Sequence, residues 1–340
     1  MPQAPHVSIL ILTCNGLADT VTCLRSLRPD ITPETEVLLL DNGSQADERE
    51  ALQQEFGQEV RIFRSDTNLG FAGGNNLLAT YARGDLLIFL NNDTEVTPGW
   101  ITPLLRELAD PAVAACQPKL RSLRDRSRFD SSGGSGGFLD ALGFHYVRGH
   151  IYAVSEVDRG QYDDAIDIDW AGGAAFAVRR KLFQDIGGFD AALFAYMEEI
   201  DLSWRLRARG YRIRCAPASL VFHKGGMTLQ KHPTRKRFLG HRNNLLMLVK
   251  NLPFLRLVLI LPLRFLLEFS ASLYYLYAGQ WSFIASPILS CVSFLLHLPQ
   301  FLLARRAPFI AGNPRVFSIV WEYFFRGHTM FADFTPTRAR

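Results

Sequence analysis

The sequence predicts an α/β protein with a mainly parallel central sheet. Apolar runs such as Val7–Leu12 and Leu86–Leu90 are typical of buried strands, and each is followed by a segment with helical spacing. Each run also ends abruptly at polar and turn residues, as at Thr13 and Asn15 after the first run. Strands that alternate with helices need crossover connections, which favour parallel pairing.

The first third of the chain repeats this strand-and-helix pattern. Strands are predicted at Val7–Leu12, Glu36–Leu40, Val60–Phe63 and Leu86–Leu90. Helices are predicted at Ala18–Leu27, Gln45–Phe56, Gly70–Tyr81 and about Pro98–Ala109. Because the carboxyl ends of parallel strands meet at one edge of a sheet, we expect the polar residues there to line a nucleotide-binding cleft.

The fourth strand ends at Asn91, Asn92 and Asp93, which we expect at the mouth of that cleft. A carboxylate with neighbouring amide oxygens can help to hold a hard cation such as Mg²⁺ or Mn²⁺. The alternative is a simple turn with an N-cap for the following helix, since Asn and Asp are favoured there too. This stretch alone does not decide between a cation site and a turn.

Two further stretches are rich in glycine. Residues 68–76 fit neither the G-x-G-x-x-G pattern nor the G-x-x-x-x-G-K-[ST] phosphate loop, but they open a helix whose amides favour phosphate. A plain glycine turn is the alternative. Residues 131–137 consist of serine and glycine, which predicts a mobile loop. This loop either becomes ordered over bound substrate or is an inert insertion. A strand that reaches Val178 is predicted after a glycine turn.

Three carboxylates, Glu198, Glu199 and Asp201, open a helix predicted from Glu198 to Arg209. The helix dipole favours acids at this position, which is one explanation for them. Crowded acids also shift one another's pKa, which is how a general base is tuned. Strands predicted at Tyr211–Cys215 and Ser219–Phe222 follow, and the second ends at His223. A lone histidine there is either structural or a ligand that completes a divalent-metal site with Asp93.

The carboxyl end of the chain is basic and apolar. Residues 241–340 carry a net charge of +7 within a total of +4, so residues 1–240 carry −3. Basic residues beside apolar segments point to an anionic membrane surface and not to nucleic acid. The five cysteines are scattered without C-x-x-C spacing, which fits a reducing compartment. Residues 1–6 lack the basic region of a signal peptide, so we expect a cytoplasmic start.

Two apolar segments, Phe254–Ala278 and Trp281–Ala304, are long enough to cross a bilayer. Arg256, Arg264 and Glu268 would be costly at its centre, so helices that lie in the membrane interface fit these charges better than spanning helices. The alternative is a helical subdomain that buries these faces internally or in a homodimer. We expect the chain at the cytoplasmic face of the inner (cell) membrane.

Together these stretches resemble the family 2 glycosyltransferases of the GT-A fold, in particular the rhamnosyltransferase-like branch that builds bacterial surface polysaccharides. The matching pieces are Val7–Asn15, Leu39–Ser44, Asn68–Asn76, Leu90–Thr94, Gly172–Arg179, Gly187–Arg205 and His223–Gly226. The implied organisation is a GT-A domain at 1–240, with its nucleotide-sugar half at about 1–120 and its acceptor half at 121–240. An apolar, membrane-associated helical segment at 241–310 and a basic tail at 311–340 follow.

The resemblance also implies site residues. Those assigned to the nucleotide-sugar donor are Thr13, Asn15, Asp41, Asn68, Gly73, Gly74, Asn75, Asn92 and Asp93. Asp93 takes the place of the metal-binding carboxylate of the family's D-x-D-type motif, with Asn91 where the leading acid usually stands and His223 as a further ligand of Mg²⁺ or Mn²⁺.

The catalytic base of the family lies in a Glu-Asp pair, which is Glu198-Glu199 in this chain. Glu199 is the first choice for the base and Glu198 the second, and Asp201 is expected to contact the acceptor or the helix. Residues Trp170, Gly172 and Gly173 are assigned to the acceptor side.

The predicted function is metal-dependent, inverting transfer of rhamnose or a similar deoxyhexose from a nucleoside-diphosphate sugar to a lipid-linked saccharide or polysaccharide. A nucleotidyltransferase acting on sugar phosphates is one alternative, but it would be expected to carry a basic residue in the turn Thr13–Gly16, which has none. The other alternative is a non-catalytic membrane scaffold that binds nucleotide sugars, and the retained acids argue against it.

Overall fold

The computed structural model describes residues 6–225, 233–305 and 314–334. Its strands are β1 (Val7–Thr13), β2 (Thr35–Asn42), β3 (Val60–Ser65), β4 (Leu86–Asn91), β5 (Thr94–Val96), β6 (Val113–Ser122), β7 (Gly137–Leu139), β8 (His145–Val147), β9 (His150–Ile151), β10 (Val154–Ser155), β11 (Ile166–Ile168), β12 (Ala175–Arg179) and β13 (Arg212–His223). Its helices are α1 (Leu17–Leu27), α2 (Arg49–Phe56), α3 (Gly70–Tyr81), α4 (Ile101–Leu108), α5 (Arg180–Asp185), α6 (Glu198–Ala208), α7 (Pro233–Asn251), α8 (Phe254–Tyr277), α9 (Ala285–Leu303) and α10 (Ile319–Phe324).

The amino-terminal half of the main sheet confirms the predicted alternation. Strands β3, β2, β1 and β4 lie side by side and parallel, with α1, α2 and α3 between them in sequence. Both faces of β1 and β2 are buried, which explains their nearly continuous apolar runs. Thr13 lies opposite Asp41 on β2, and Leu12 lies opposite Asn91 on β4, so the polar strand ends meet at one edge.

The other half of the sheet brings distant segments to the same edge. Strand β12 runs antiparallel between β4 and β6, and β13 runs parallel to β6. The two strands predicted between 211 and 222 are one strand, β13, with a shift of register between Ala216 and Leu220. Strand β5 pairs antiparallel with the end of β13, where Thr94 lies opposite His223. This pairing places the segment after β4 beside the end of β13.

The glycine-rich stretch 131–137 was predicted as a mobile loop, and this prediction is wrong. The stretch is mostly buried, and Ser135 is completely so, with its hydroxyl donating to the Tyr162 carbonyl at 2.8 Å. It leads into the small sheet β10-β9-β8-β7, and Gly137 packs directly on the indole of Trp170. The glycines therefore serve close packing, where a Cβ would collide with neighbouring atoms.

Three long helices follow the sheet. Helix α7 buries Leu245–Val249 against the acceptor half. One face of helix α8, which includes Arg264 and Glu268, is buried against the protein. Apolar side chains on its other face are exposed. Within the described residues, one helical segment, Trp281–Leu303, is long and apolar enough to cross a membrane, with a mean hydropathy of 1.6.

The carboxyl-terminal segment 314–334 packs on the acceptor half. The Ile319 N–H donates to the Asp140 carboxylate at 2.8 Å, and the ring of Phe331 lies 5.2 Å from the ring of Phe138. This part of the predicted basic tail is thus a structural element. Residues 311–313 and 335–340 of that tail, residues 306–310 of the apolar segment, and residues 226–232, which include the end of the matching piece His223–Gly226, lie outside the described residues.

We predict that Gly137→Ala lowers the free energy of unfolding by about 1–3 kcal/mol, because the new methyl group would overlap the Trp170 ring. Gly240→Ala is the matched control, since its Cβ would have no neighbour within 4 Å and it lies within α7, where alanine is favoured by about 0.5–1 kcal/mol. Urea unfolding followed by circular dichroism measures both changes. Equal stability of Gly137→Ala and the wild type would contradict the packing role.

Candidate active site

The loops after β1 and β2 form one polar rim through mutual hydrogen bonds. The Thr13 hydroxyl donates to the Glu48 carboxylate at 3.2 Å and accepts from Thr20 at 2.9 Å. Asn15 is exposed with a φ of 54°, and its N–H donates to the Ser44 hydroxyl at 2.8 Å. Glu48 was not among the predicted site residues. The second helix begins at Arg49, directly after Glu48, and not at residue 45 as predicted.

Asp41 is completely buried at the end of β2. One of its oxygens accepts from the Ser44 N–H at 2.9 Å, and the other pairs with the guanidinium of Arg64. The next residue, Asn42, donates to the Asn68 side chain at 3.4 Å and to the Gly70 carbonyl at 3.0 Å. The structure therefore brings Asp41 and Asn68 to the same rim as Thr13. Their contacts with a base and a diphosphate stay predictions.

The three residues assigned to the donor on α3 differ in exposure. A Cβ on Gly74 would lie 3.0 Å from Leu12, so this glycine allows α3 to approach the sheet. Asn75 is buried and donates to the Phe71 carbonyl of its own helix at 3.1 Å. Packing thus accounts for Gly74 and Asn75, while Gly73 is partly exposed.

A buried imidazole lies between two carboxylates at the end of β13. The Nε2 of His223 is 3.3 Å from Asp93 Oδ1, and its Nδ1 is 3.0 Å from Asp130 Oδ1. Burial would by itself lower the pKa of His223, but the charges of Asp130 and Asp93 outweigh it and raise that pKa to about 10. Burial likewise opposes ionisation of Asp93, but His223 holds the pKa of Asp93 below its usual value.

This arrangement fits a divalent cation in its donor chemistry. Carboxylate oxygen and neutral imidazole nitrogen are accepted ligands, so a cation bound here would displace the proton of His223. Neighbouring ligands of an octahedral ion lie about 3 Å apart when each bond is about 2.1 Å. The carboxylate of Asp130 orients the imidazole from its far side, as second-shell carboxylates do. In the described ranges, no group of three or more His, Cys, Asp or Glu side chains is arranged to hold a metal ion, so the protein would supply two ligands here. Asp93 and His223 would therefore leave most positions open to the oxygens of a diphosphate.

The acidic helix lies at the same edge of the sheet as Asp93. The Asn91 N–H, at the end of β4, donates to the Ala174 carbonyl at 2.9 Å. Next to Ala174, a Cβ on Gly173 would lie 3.6 Å from the carboxylate carbon of Glu199. Gly172 is buried against the turn at Ser132 and donates its N–H to Gln117 at 2.8 Å. Gly173 is thus beside the candidate base, whereas Gly172 serves packing.

The two glutamates at the start of α6 are strongly perturbed. Glu198 is 4% exposed and Glu199 is partly exposed. Burial raises the pKa of Glu199 to about 7, and burial beside the charge of Glu199 raises the pKa of Glu198 well above its usual value. One oxygen of Glu198 and one oxygen of Glu199 are buried and have no hydrogen-bond partner among the described residues. Glu199 is the better placed of the two to receive a proton from a ligand.

Two predicted site residues are corrected by the structure. Asp201 is fully buried and accepts from Arg205 at 2.8 Å, from Lys250 at 2.9 Å and from Asn251 at 2.8 Å. It is therefore a structural ion-pair centre between α6 and α7, and not a catalytic group. Trp170 is 2% exposed and donates its indole N–H to the Phe138 carbonyl at 3.0 Å, so it is a core residue and not an acceptor contact.

Asp130 is the main site residue that the sequence analysis missed. It lies just before the glycine-rich stretch and accepts from the Ser132 N–H at 2.8 Å, as an Asx-turn aspartate does. That turn signal was present in the sequence. The contact between Asp130 and His223, which are 93 residues apart, gives no signal in the local sequence.

With this geometry established, comparison with known proteins identifies the family. A sequence model described as glycosyl transferase family 2 matches residues 8–187, more than half of the chain. The chain belongs to glycosyl transferase family 2. Among relatives of this family member, the pre-mycofactocin glycosyltransferase of Mycobacterium tuberculosis is 27% identical over 246 residues. The match covers 70% of this chain and 47% of that protein, so this chain spans less than half of the relative's length.

Solved structures confirm the predicted GT-A fold of this family 2 member. The structure of S. aureus TarS 1–349 in complex with UDP-GlcNAc matches with a TM-score of 0.56 and 16% identity, covering 88% of this chain and 83% of that one. The mannosyltransferase PcManGT from Pyrobaculum calidifontis, in complex with GDP-Man and Mn²⁺, matches with a TM-score of 0.54 and 15% identity over 86% of this chain and 88% of that one. Assignment to the rhamnosyltransferase-like branch stays a prediction.

We predict that Asp201→Asn lowers the free energy of unfolding by about 3–5 kcal/mol, because it leaves the buried ammonium of Lys250 without its full charge compensation. The exposed pair of Asp47 and Arg49 provides the control, and Asp47→Asn is expected to change stability by less than about 1 kcal/mol. Denaturant unfolding of the two variants compares them directly. A similar small effect for both would contradict the structural role of Asp201.

Proposed function

We propose that this family 2 member is an inverting glycosyltransferase that moves a sugar from a nucleoside-diphosphate sugar to a hydroxyl acceptor. One observation carries the proposal. The Asp93 and His223 pair and the partly exposed Glu199 lie at one edge of the sheet, connected through Asn91 and the 173–174 turn. The proposed site for a leaving diphosphate and the proposed base for the attacking hydroxyl thus belong to the same edge of the sheet.

Asp93, His223 and Glu199 have separate roles in the proposed reaction. Asp93 and His223 would hold a divalent cation, Mg²⁺ or Mn²⁺, which when bound neutralises charge on the departing diphosphate. Glu199 accepts the proton of the acceptor hydroxyl as that oxygen attacks the anomeric carbon from the face opposite the diphosphate. A single displacement inverts the anomeric centre and needs no covalent carboxylate nucleophile. Mn²⁺ is the first ion to test, because PcManGT was crystallised with it.

The proposed donor class is supported by the polar rim at the ends of β1 and β2, where the buried Thr13 and Asp41 hold the loops together and the exposed Asn15 is open to a nucleoside. The structural neighbours support a nucleoside-diphosphate sugar in general, since they hold UDP-GlcNAc and GDP-Man. The specific donor we propose is thymidine-diphosphate-rhamnose or a similar deoxyhexose donor, which rests on the resemblance to the rhamnosyltransferase-like branch. The proposed acceptor is a lipid-linked saccharide of a surface polysaccharide.

The test is a screen of nucleotide sugars with Mn²⁺ or Mg²⁺ that measures release of nucleoside diphosphate with and without membrane extract. Glu199→Gln is expected to lower kcat by about 10²–10⁴-fold, because the general base is lost.

Activity of the wild type is expected to rise with pH through about 7, since Glu199 must be deprotonated to act and its pKa is raised. The ionisable neighbours are Glu198 and the phenol of Tyr196, and Glu198 titrates together with Glu199.

Glu50→Gln, an exposed acid on α2, is the control and should leave kcat unchanged. Release of free pyrophosphate in place of nucleoside diphosphate would overturn the proposal in favour of a nucleotidyltransferase. Full activity of Glu199→Gln would remove Glu199 from the role of base. Binding of nucleotide sugar without any turnover would favour the scaffold function.

We also propose that the chain binds the cytoplasmic face of the cell membrane through α8 and α9, which lie in the interface. Arg264 and Glu268, the residues that disfavour a spanning α8, are 1% and 2% exposed and form an ion pair at 3.1 Å on the inward face. The opposite face is apolar and exposed, and the aromatic residues Tyr277 and Trp281 beside the turn between the helices are 91% and 70% exposed. An inward polar stripe and an outward apolar face are what an in-plane helix needs.

The double variant Leu259→Asp with Leu266→Asp places charges on that exposed face and is expected to abolish binding to vesicles that contain anionic phospholipid. Gln54→Asp, which adds a charge on the exposed surface of α2, is the control and should float with vesicles like the wild type. Vesicle flotation measures binding, and analytical ultracentrifugation measures association. A wild type that does not float but forms a dimer, which the double variant disrupts, would show that the face is a homodimer interface.

A further inference from the structure

The loop that leads into the acidic helix has an unusual backbone. Phe194, Tyr196 and Met197 have φ values of 63°, 72° and 75°, although none of them is glycine. Such conformations are disfavoured for residues with a side chain and persist only where surrounding contacts impose them. Glu198 and Glu199 follow this loop directly, so the contacts that impose its shape also decide where both carboxylates lie.

One contact comes from α3, where the Ala72 N–H donates to the Phe194 carbonyl at 3.1 Å, and helix α7 supplies the contacts with the rest of the loop. The side-chain amide nitrogen of Asn243, a fully buried residue, lies 2.8, 2.9 and 2.9 Å from the carbonyl oxygens of Leu193, Ala195 and Tyr196. An amide has two hydrogens, so it shares them among three acceptors. Its oxygen accepts from the Arg242 guanidinium at 2.9 Å, which fixes the amide with its nitrogen towards the loop.

Other α7 side chains cover the rings of the same loop. The Arg235 guanidinium lies 4.9 Å from the ring centroid of Phe194, and the Lys236 ammonium lies 5.6 Å from that of Tyr196. At the start of the loop, Lys250 pairs with Asp190 at 2.7 Å. The loop is therefore held at its beginning by Lys250, in its centre by Asn243 and over its aromatic rings by the amino-terminal turns of α7.

We propose that Asn243 is a positioning residue for the catalytic base. By binding the three carbonyl groups, it keeps the 193–197 backbone in the conformation that presents Glu199 beside Gly173. Asn243 itself touches neither the base nor the candidate cation site. This inference rests on the proposed function, because it concerns the residue that receives the acceptor proton.

The experiment compares Asn243→Ala, Asn243→Ser and the control Asn244→Ala. Asn244 is the next residue of α7 and is also buried, but its amide donates to the Gly143 carbonyl at 3.0 Å, and its hydrogen bond to the loop in the described residues is to the Met197 sulfur. We expect kcat of Asn243→Ala to fall about 100-fold, because small misplacement of a reacting group has effects of that size. KM for the donor should change less than about twofold, because the hydrogen bonds that hold the rim at Thr13, Asn15 and Asp41 involve no residue of this loop.

Asn243→Ser keeps one donor and should give an intermediate kcat, which also provides a measurement if the alanine variant does not fold. Hydrogen exchange of residues 193–199 reports the loop directly and should quicken in both Asn243 variants more than in Asn244→Ala. Equal losses of kcat in the Asn243 and Asn244 variants, or unchanged kcat with faster exchange, would overturn the positioning role alone. A wild type that releases no nucleoside diphosphate from any donor would overturn the proposed function itself.

Discussion

The buried contact of His223 with Asp93 and Asp130 is the constraint on which the candidate site depends. These residues come from the end of β13, the segment after β4 and the turn after β6. A charged group deep in a protein is costly unless it is paired, so each of the three segments is held where the other two require it. The antiparallel pairing of β5 with β13 holds the segments that carry Asp93 and His223 next to each other. The candidate site lies at the sheet edge around them.

The sequence predicted most of the amino-terminal half because its signals are local. Each of β1, β2 and β4 is a continuous apolar run, and such runs mark strands buried on both faces regardless of what they pair with. The order of the strands in the acceptor half could not be predicted in the same way. Insertion of β12 between β4 and β6 depends on contacts between segments far apart in the chain, which composition and periodicity do not encode.

The same distinction explains the errors at the site. An acid in the first turn of a helix can face a cleft or the interior, and Asp201 faces Lys250 and Asn251, which lie about fifty residues later. Glycine has two uses, conformational freedom and close approach, and residues 131–137 show both, since Gly134 and Gly136 have positive φ and a Cβ on Gly137 would collide with Trp170. Asp93, His223 and Glu199 each end or begin an element at the edge where ligands bind in α/β sheets, so the predicted topology already brought them to one edge, while their roles stay predictions.

Helix α7 joins the two parts of the molecule that the proposed function needs. Its buried polar side chains contact the loop before Glu198, and its apolar residues pack with α8 and α9. If α8 and α9 lie on a membrane, α7 is the structural link between the lipid surface and the base. A lipid-linked acceptor would then reach a carboxylate positioned by α7, the helix that packs against the two that bind that surface. The buried pair of Lys250 with Asp201 ties α7 directly to α6, the helix that begins with both glutamates.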